Sequence, residues 1–304
     1  MSKKINVDFY RIDLTDNREK FEDLLQRVMS LSKKQRIMDV GATPINFHTA
    51  SSDGEFWHGE VIRIRMVDPP VKASREGAIE DILLDDDEGI GEKTAFLYHC
   101  QTKILLVQST QGGVSISTFL TYFNKIFQNI RVFADPVLQL DAMKRLNRLD
   151  TVQKFEVRVA GLDNPGKLFQ DDDLAIGALH DIAEQFHAPI VSITLSTGKK
   201  KKHSLDVKST VEAAKKFLLI GNHAKNSSGK KQKAQTIRIT GFATEDEEGE
   251  MKRTKLFVDL LHDRMRERVD SDMTGRRSIP YVSRVEALKK AWENRQAEIL
   301  EMFS

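Results

Sequence analysis

The sequence predicts an α+β protein: a hairpin-rich N-terminal α/β domain over residues 1–138, and a second mixed α/β domain over residues 139–304 that ends in an amphipathic helix. Three observations carry this. Apolar and polar residues alternate with the period of a strand at several places. Turn signals separate some of those runs as hairpins require. Other stretches repeat apolar residues at helical spacing. The 304 residues are 40% hydrophobic and 30% charged, which is enough apolar matter for packed cores.

Residues 5–14 alternate around Val7, Phe9 and Ile12 as a half-buried strand. Asn17 is placed to cap a helix carrying Phe21, Leu24, Leu25, Val28 and Met29 on one face. Asp53-Gly54 marks a hairpin turn, and its second strand runs through Val61, Ile62, Ile64 and Met66. Pro69-Pro70 and the acidic run after it read as a long loop. A second hairpin spans residues 96–100 and 103–108 and is followed by a helix over 115–127 with Phe119, Tyr122, Phe123 and Ile126 on one face. An extended stretch (131–138) and a short helix (141–149) lead to a strand at 152–159. Then come a turn at 161–166, a helix at 174–186, a strand at 189–195 and a helix at 210–220 closed by Gly221-Asn222. Residues 235–242 and 252–261 pair across an acidic turn, and Ser283 with Glu286 forms a capping box before the last helix.

The single cysteine, Cys100, cannot form an intramolecular disulfide, and with no secretory h-region at the start the reading is a cytoplasmic protein. No apolar run approaches the ~18 residues of a membrane-spanning helix. Net charge is only +2, but it is unevenly spread. Residues 80–92 hold seven acidic residues and no basic one. Residues 199–238 hold twelve basic and two acidic residues, a local charge of +10.

Gly161-Leu162-Asp163-Asn164-Pro165-Gly166-Lys167-Leu168 fits the spacing of a phosphate-binding loop, but Leu168 stands where Ser or Thr would ligate magnesium and Pro165 lacks a donor N–H. It reads as an ordinary strand–helix turn. His48, His58, His99 and Cys100 have no recognised zinc spacing and read as strand-face residues satisfied by neighbours. His180 and His187 read as surface positions on one helix face. Asp135 with Glu156 and Arg158 matches a nuclease pattern only loosely, and 85–88 is a solvated charge run. No catalytic residue, metal or cofactor is assigned.

The positive case is the basic segment. Lys199, Lys200, Lys201 and Lys202 follow a strand, Lys208 lies near the next helix, Lys230, Lys231 and Lys233 fill a later loop, and Arg238 is on a strand. If both loops leave one sheet edge, their charges sum on one face and suit a phosphate backbone. Ser204, Ser227 and Ser228 add neutral contacts, and Arg276 with Arg277 forms a second, weaker candidate. Aromatic residues are poorly interleaved with the lysines, which argues against a single-strand stacking platform. In the last helix Val285, Leu288, Trp292, Ile299 and Phe303 form a narrow seam. Leu288, Trp292 and Ile299 are assigned to dimerisation, against the plainer reading that the stripe docks on its own sheet.

The order LDAMKRLNRL, KFEVRVAG, an Asp-Asn-Pro turn, HDIAEQFHAPIVSITLST, a basic loop and a helix ending at Gly221 resembles, in layout over residues 141–270, the RexA-like phage-exclusion proteins and related bacterial domains. The resemblance implies a DNA-binding, dimer-forming sensor of phage infection with a separate membrane effector. It transfers no residue roles. The expectation is a non-enzymatic, largely sequence-independent DNA-binding homodimer, with a metal-dependent nuclease of diverged site as the alternative.

Overall fold

Strand β1 (Ser2–Leu14) turns Ile5, Val7 and Phe9 to one side and Tyr10 and Ile12 to the other, so both faces of its sheet need a cover. The computed structural model describes residues 2–16, 18–160, 185–186, 188, 190–198, 203–219, 233–247, 250–275 and 278–303. These residues hold five helices and fourteen strands, an α+β architecture whose named strand pairs are all antiparallel.

The larger sheet follows the order β14 (Arg266–Asp272), β1, β8 (Ile104–Ser109), β7 (Ile90–His99), β4 (Phe56–Arg65), β3 (Thr43–Ser52) and β2 (Ile37–Val40). Strand β9 (Val132–Pro136) also pairs with β1, beyond the end of β14. The two expected hairpins are β3–β4, turned at Gly54 with φ +95°, and β7–β8. The chain between them is loop but for a two-residue hairpin, β5 (Lys72–Ala73) with β6 (Ile79–Glu80).

Helices α1 (Phe21–Ser30) and α2 (Ile116–Ile126) cover one face, where Phe21, Phe119, Tyr122 and Phe123 pack on Phe47, Phe96 and Tyr98. Ser115 caps α2 by accepting from the Thr118 N–H at 3.1 Å. The cap expected for α1, Asn17, lies outside the described residues. The cap position is Lys20, whose side chain makes no capping bond.

The opposite face is covered by the last helix, α5 (Tyr281–Phe303). This corrects the dimerisation assignment. Leu288 and Ile299 are fully buried and Trp292 is 4% exposed within the single chain, packed with Val7, Phe9, Leu97 and Leu106. The Trp292 ring stands edge-on to Phe56 at 5.7 Å and lies 4.3 Å from His99. Polar flanks bind inside the chain too: Lys289 pairs with Asp53, and Arg295 bonds Glu267 at 2.6 Å. The sheet offers a wide apolar face next to the helix, so the stripe has no surplus for a partner. The expected capping box is also displaced. Helix α5 begins directly after Pro280, and Ser283 lies within its first turn, its carbonyl accepting from Ser271 Oγ at 3.0 Å.

The domain boundary needs the same correction. Residues 266–303, grouped by sequence with the second domain, return to the first sheet as β14 and α5. The second unit is therefore an insertion between β9 and β14. Its two ends meet in a hydrogen-bonded neck: Leu138 bridges Arg264, Gln139 N–H donates to the Asp263 carbonyl at 2.8 Å, and Met265 N–H donates to that of Val137 at 2.7 Å. Arg145 of α3 (Leu140–Asn147) adds a 3.1 Å bond to Asp263.

The insertion is a four-stranded sheet in the order β11 (Ile190–Ser196), β10 (Thr151–Ala160), β12 (Lys233–Glu247), β13 (Glu250–Asp259). Helices α3 and α4 (Val207–Leu219) bury one of its faces, where Phe155, Val157, Ile237 and Val258 meet Leu146, Ala214 and Phe217. Gly241 lets β12 approach β10 closely: a Cβ there would collide with the Thr151 carbonyl oxygen. The expected turn at 161–166 and the Gly221-Asn222 cap lie outside the described residues, as does nearly all of the expected helix at 174–186.

Two outcomes follow. Trp292→Ala should cost about 3–5 kcal/mol in urea unfolding, the range for deleting a large buried ring, and leave the light-scattering mass unchanged. A loss of mass would return the helix to an intermolecular role. Replacing residues 140–262 by a short Gly/Ser linker should leave a first unit that unfolds cooperatively with Trp292 buried, because the neck already joins the two ends. A remainder without a cooperative transition would show that the insertion is needed for the first sheet to fold.

Candidate nucleic-acid interface

Alternation along the inserted sheet sends every second residue away from α3 and α4, and among the described residues no element packs on that outer face. Cross-strand register gathers side chains there that are far apart in sequence. Glu156 stands opposite Arg238, which stands opposite Asp259. Lys154 stands opposite Thr240, which stands opposite Phe257. Phe242 stands opposite Lys255. Arg158 faces Ser192 on one side and Thr236 on the other. Among the described side chains, five basic residues (Lys154, Arg158, Arg238, Arg253, Lys255) thus share the face with two acidic ones, Glu156 and Asp259.

The two carboxylates are each engaged by one of these cations. Lys154 Nζ lies 2.7 Å from Glu156, and Arg238 Nε donates to Asp259 Oδ2 at 2.8 Å. The Asp259 hydrogen bond holds the Arg238 guanidinium charged above its ordinary pKa and fixes it 5.9 Å from the centre of the Phe257 ring. Arg253 lies over Phe242 at 4.2 Å and donates to Thr151 Oγ1 at 3.3 Å. Phe257 is 48% exposed, between buried Leu256 and Val258. Arg158 and Lys255 are exposed and, among the described residues, carry no ion pair, so with Arg253 they leave three charges for an incoming anion.

Of the residues proposed from sequence, Arg238 lies in the middle of this face. Lys208 is exposed in the first turn of α4, on the opposite side of the sheet; there Asp206 Oδ1 accepts from Ser209 N–H at 2.7 Å. Lys199, Lys200, Lys201, Lys202, Lys230, Lys231, Arg276 and Arg277 lie outside the described residues, as do Ser227 and Ser228, and of Lys233 only the backbone pairing is described. The strands around the two lysine runs nevertheless correct the premise that both leave one sheet edge. Ser196, near the first run, pairs with Lys154, whereas Lys233, after the second, pairs with Ala160. The runs attach at opposite ends of β10, about 20 Å apart at ~3.3 Å per residue. Ser204 is spent locally, accepting from Val152 N–H at 2.9 Å.

Sequence reading missed Arg158 as a binding residue, together with Arg253, Lys255, Phe242 and Phe257. One signal was present: Phe257 breaks the alternation of its strand by putting a large aromatic at an outward position.

The other candidates are dispersed. Asp135 is on β9, 3.8 Å from Lys215, and Glu156 is on the inserted sheet. The phosphate-loop-like 161–168, His180 and His187 lie outside the described residues. Asp85 and Glu88 close on each other in an exposed turn. His48 is exposed, whereas His58 Nδ1 meets Tyr281 Oη at 2.7 Å and His99 Nδ1 meets Thr102 Oγ1 at 2.8 Å. Burial lowers the pKa of both His58 and His99 from the ordinary 6.5, with Asp53 and Glu55 respectively opposing that shift.

Because those two imidazoles take up protons more readily in the unfolded chain, the stability they contribute is complete above pH 6.5 and is lost as pH falls through 6.5 toward their lower folded values. The urea midpoint should therefore be lower at pH 5.5 than at 7.5, and His99→Gln should shrink the difference. An undiminished difference in that variant would remove His99 from the account.

No curated protein matches the chain. Among the described residues, no helix is long and apolar enough to cross a membrane. The model of one family, DUF6731, a family of unknown function, matches residues 1–298, and the chain belongs to that family.

Proposed function

We propose that the protein is a non-enzymatic, largely sequence-independent DNA-binding protein that holds the phosphate backbone against the outer face of its inserted sheet. The observation that carries this reading is the excess of cations among the described side chains of that face: Arg158, Arg253 and Lys255 remain after the carboxylates of Glu156 and Asp259 are paired. In sequence, lysine runs adjoin the two described strand ends at Ser196 and Lys233, which pair with Lys154 and Ala160 at opposite ends of β10. The ~20 Å between their attachment points spans about six phosphates at 3.4 Å per nucleotide of one duplex strand. Arginine and lysine contacts to phosphate fix position without reading bases, which is why the reading is sequence-independent. On its resemblance in layout to RexA-like proteins, the reading extends to phage exclusion, with a second copy of the chain and a membrane effector as partners.

Binding to labelled DNA across a salt series tests this. Affinity should fall steeply with salt. The variant Arg158→Gln/Arg253→Gln/Lys255→Gln should bind every sequence more weakly and flatten the log–log slope by about two to three units, near 0.7–0.9 per lost phosphate contact. Neutralising Lys199, Lys200, Lys201, Lys202, Lys230, Lys231 and Lys233 should flatten it further. Absence of binding at ~50 mM salt, or binding indifferent to salt, would refute the reading.

A further inference from the structure

We infer that the outer face of the inserted sheet takes a single strand of nucleic acid rather than a duplex, with a base stacked on Phe257; this rests on the reading of that face as a phosphate-binding surface. Two independent features carry it. The first is shape. Four strands at ~4.8 Å spacing make a face about 14 Å across, whereas the major groove, about 12 Å wide, admits a helix or a two-stranded ribbon. A two-stranded arm does exist, because β12 and β13 continue past the last β10 pair, Thr151 with Phe242, to the pair Glu247–Glu250. The strand residues of that arm include Glu245, Asp246, Glu247 and Glu250 by sequence, an acidic composition that opposes entry into a groove lined by phosphates.

The second feature is chemical. Singly exposed apolar side chains are ordinary, and Phe133 is as exposed as Phe257, so exposure alone carries nothing. Phe257 nevertheless presents its ring amid cations: Arg238 at 5.9 Å, held in place by Asp259, and Lys255 on the same face of the same strand. The half-buried ring of Phe242 is its diagonal neighbour across the strand pair and is already covered by Arg253. An unpaired base can lie on the Phe257 ring while a neighbouring phosphate reaches Lys255 and phosphates further along the same strand reach Arg253 on one side and Arg158 on the other. A paired base cannot, since its faces are occupied within the duplex stack. Stacking makes no demand on base identity, in keeping with sequence-independent binding.

The test measures binding of the full chain to fluorescent 20-nucleotide dT, 20-nucleotide U and a 20-base-pair duplex at one salt concentration. The single strands should bind more tightly than the duplex. Phe257→Ala should weaken single-strand binding about tenfold or more and change duplex binding little, while Phe257→Tyr retains the preference. Because the ring is half-exposed, the alanine variant should fold, and its urea midpoint confirms that. Comparing dT with U tells whether the 2′-hydroxyl matters to the same stacking site. Equal affinity for strand and duplex, or no loss in Phe257→Ala while the triple arginine–lysine variant still weakens binding, overturns the single-strand inference and leaves the phosphate-binding reading intact. If no nucleic acid binds, both fall.

Discussion

The structure depends on the pairing of β1 with three strands at once. On one side it meets β8, and on the other β14 and β9 end to end. This arrangement joins the first and last parts of the chain in one sheet and brings the two ends of the insertion together. The buried Asp8 carboxylate anchors it: Arg266 of β14 donates to both its oxygens, at 2.5 and 3.1 Å. A bidentate pair of this kind fixes orientation as well as distance. Breaking it by removing one partner would strand a charge that folding has already taken out of water, which is why such pairs are costly to lose. With β14 in register, α5 lies across the odd-numbered face of β1, and the second apolar core closes around Trp292.

The inserted unit inherits its asymmetry from this plan. The neck and α3 occupy one side of the small sheet, α4 fills the rest of that side, and Lys215 of α4 reaches back to Asp135 of β9 at 3.8 Å. Among the described residues, all the cover lies on that one face. The other is left as a charged, partly aromatic surface whose cations come from three strands. Their proximity is a product of register: Arg158 and Arg253 are ninety-five positions apart in sequence, and no window along the chain shows them together.

Much of the architecture was legible in the sequence because period and turn chemistry are local. The Asp53-Gly54 hairpin, the aromatic face of α2 and the β12–β13 pair all follow from patterns within about fifteen residues. What failed was long-range. Strand β14 reads RERVDSD and turns Glu267, Val269 and Ser271 inward, so only one large apolar residue marks its buried side. Its place is fixed by β1 and by the Asp8–Arg266 pair, neither of which a local window contains. Without β14, the last helix had no visible sheet to cover, and its stripe looked like a seam for another molecule. The basic residues were read the same way. Lysine runs are conspicuous in sequence, whereas the outward face of a sheet is recorded one residue in two on separate strands. Arg238 was found because it lies at the end of the lysine-rich segment, and Phe257 was passed over because an isolated phenylalanine in a strand normally faces inward.

The sequence separation of β1 and β14 has a bearing on synthesis. Strand β1 leaves the ribosome more than two hundred and fifty residues before its partner β14. At a translation rate of about 5–20 residues per second, that wait lasts roughly 13–50 s. During it the apolar residues Ile5, Val7 and Phe9 have their hairpin neighbours but not α5 to cover them. The inserted sheet is complete once Asp259 has emerged, so it can close before the unit that encloses it. The nascent chain thus passes through a stage in which the inner domain is folded and the outer one still shows an apolar sheet face, the surface a holding chaperone would engage.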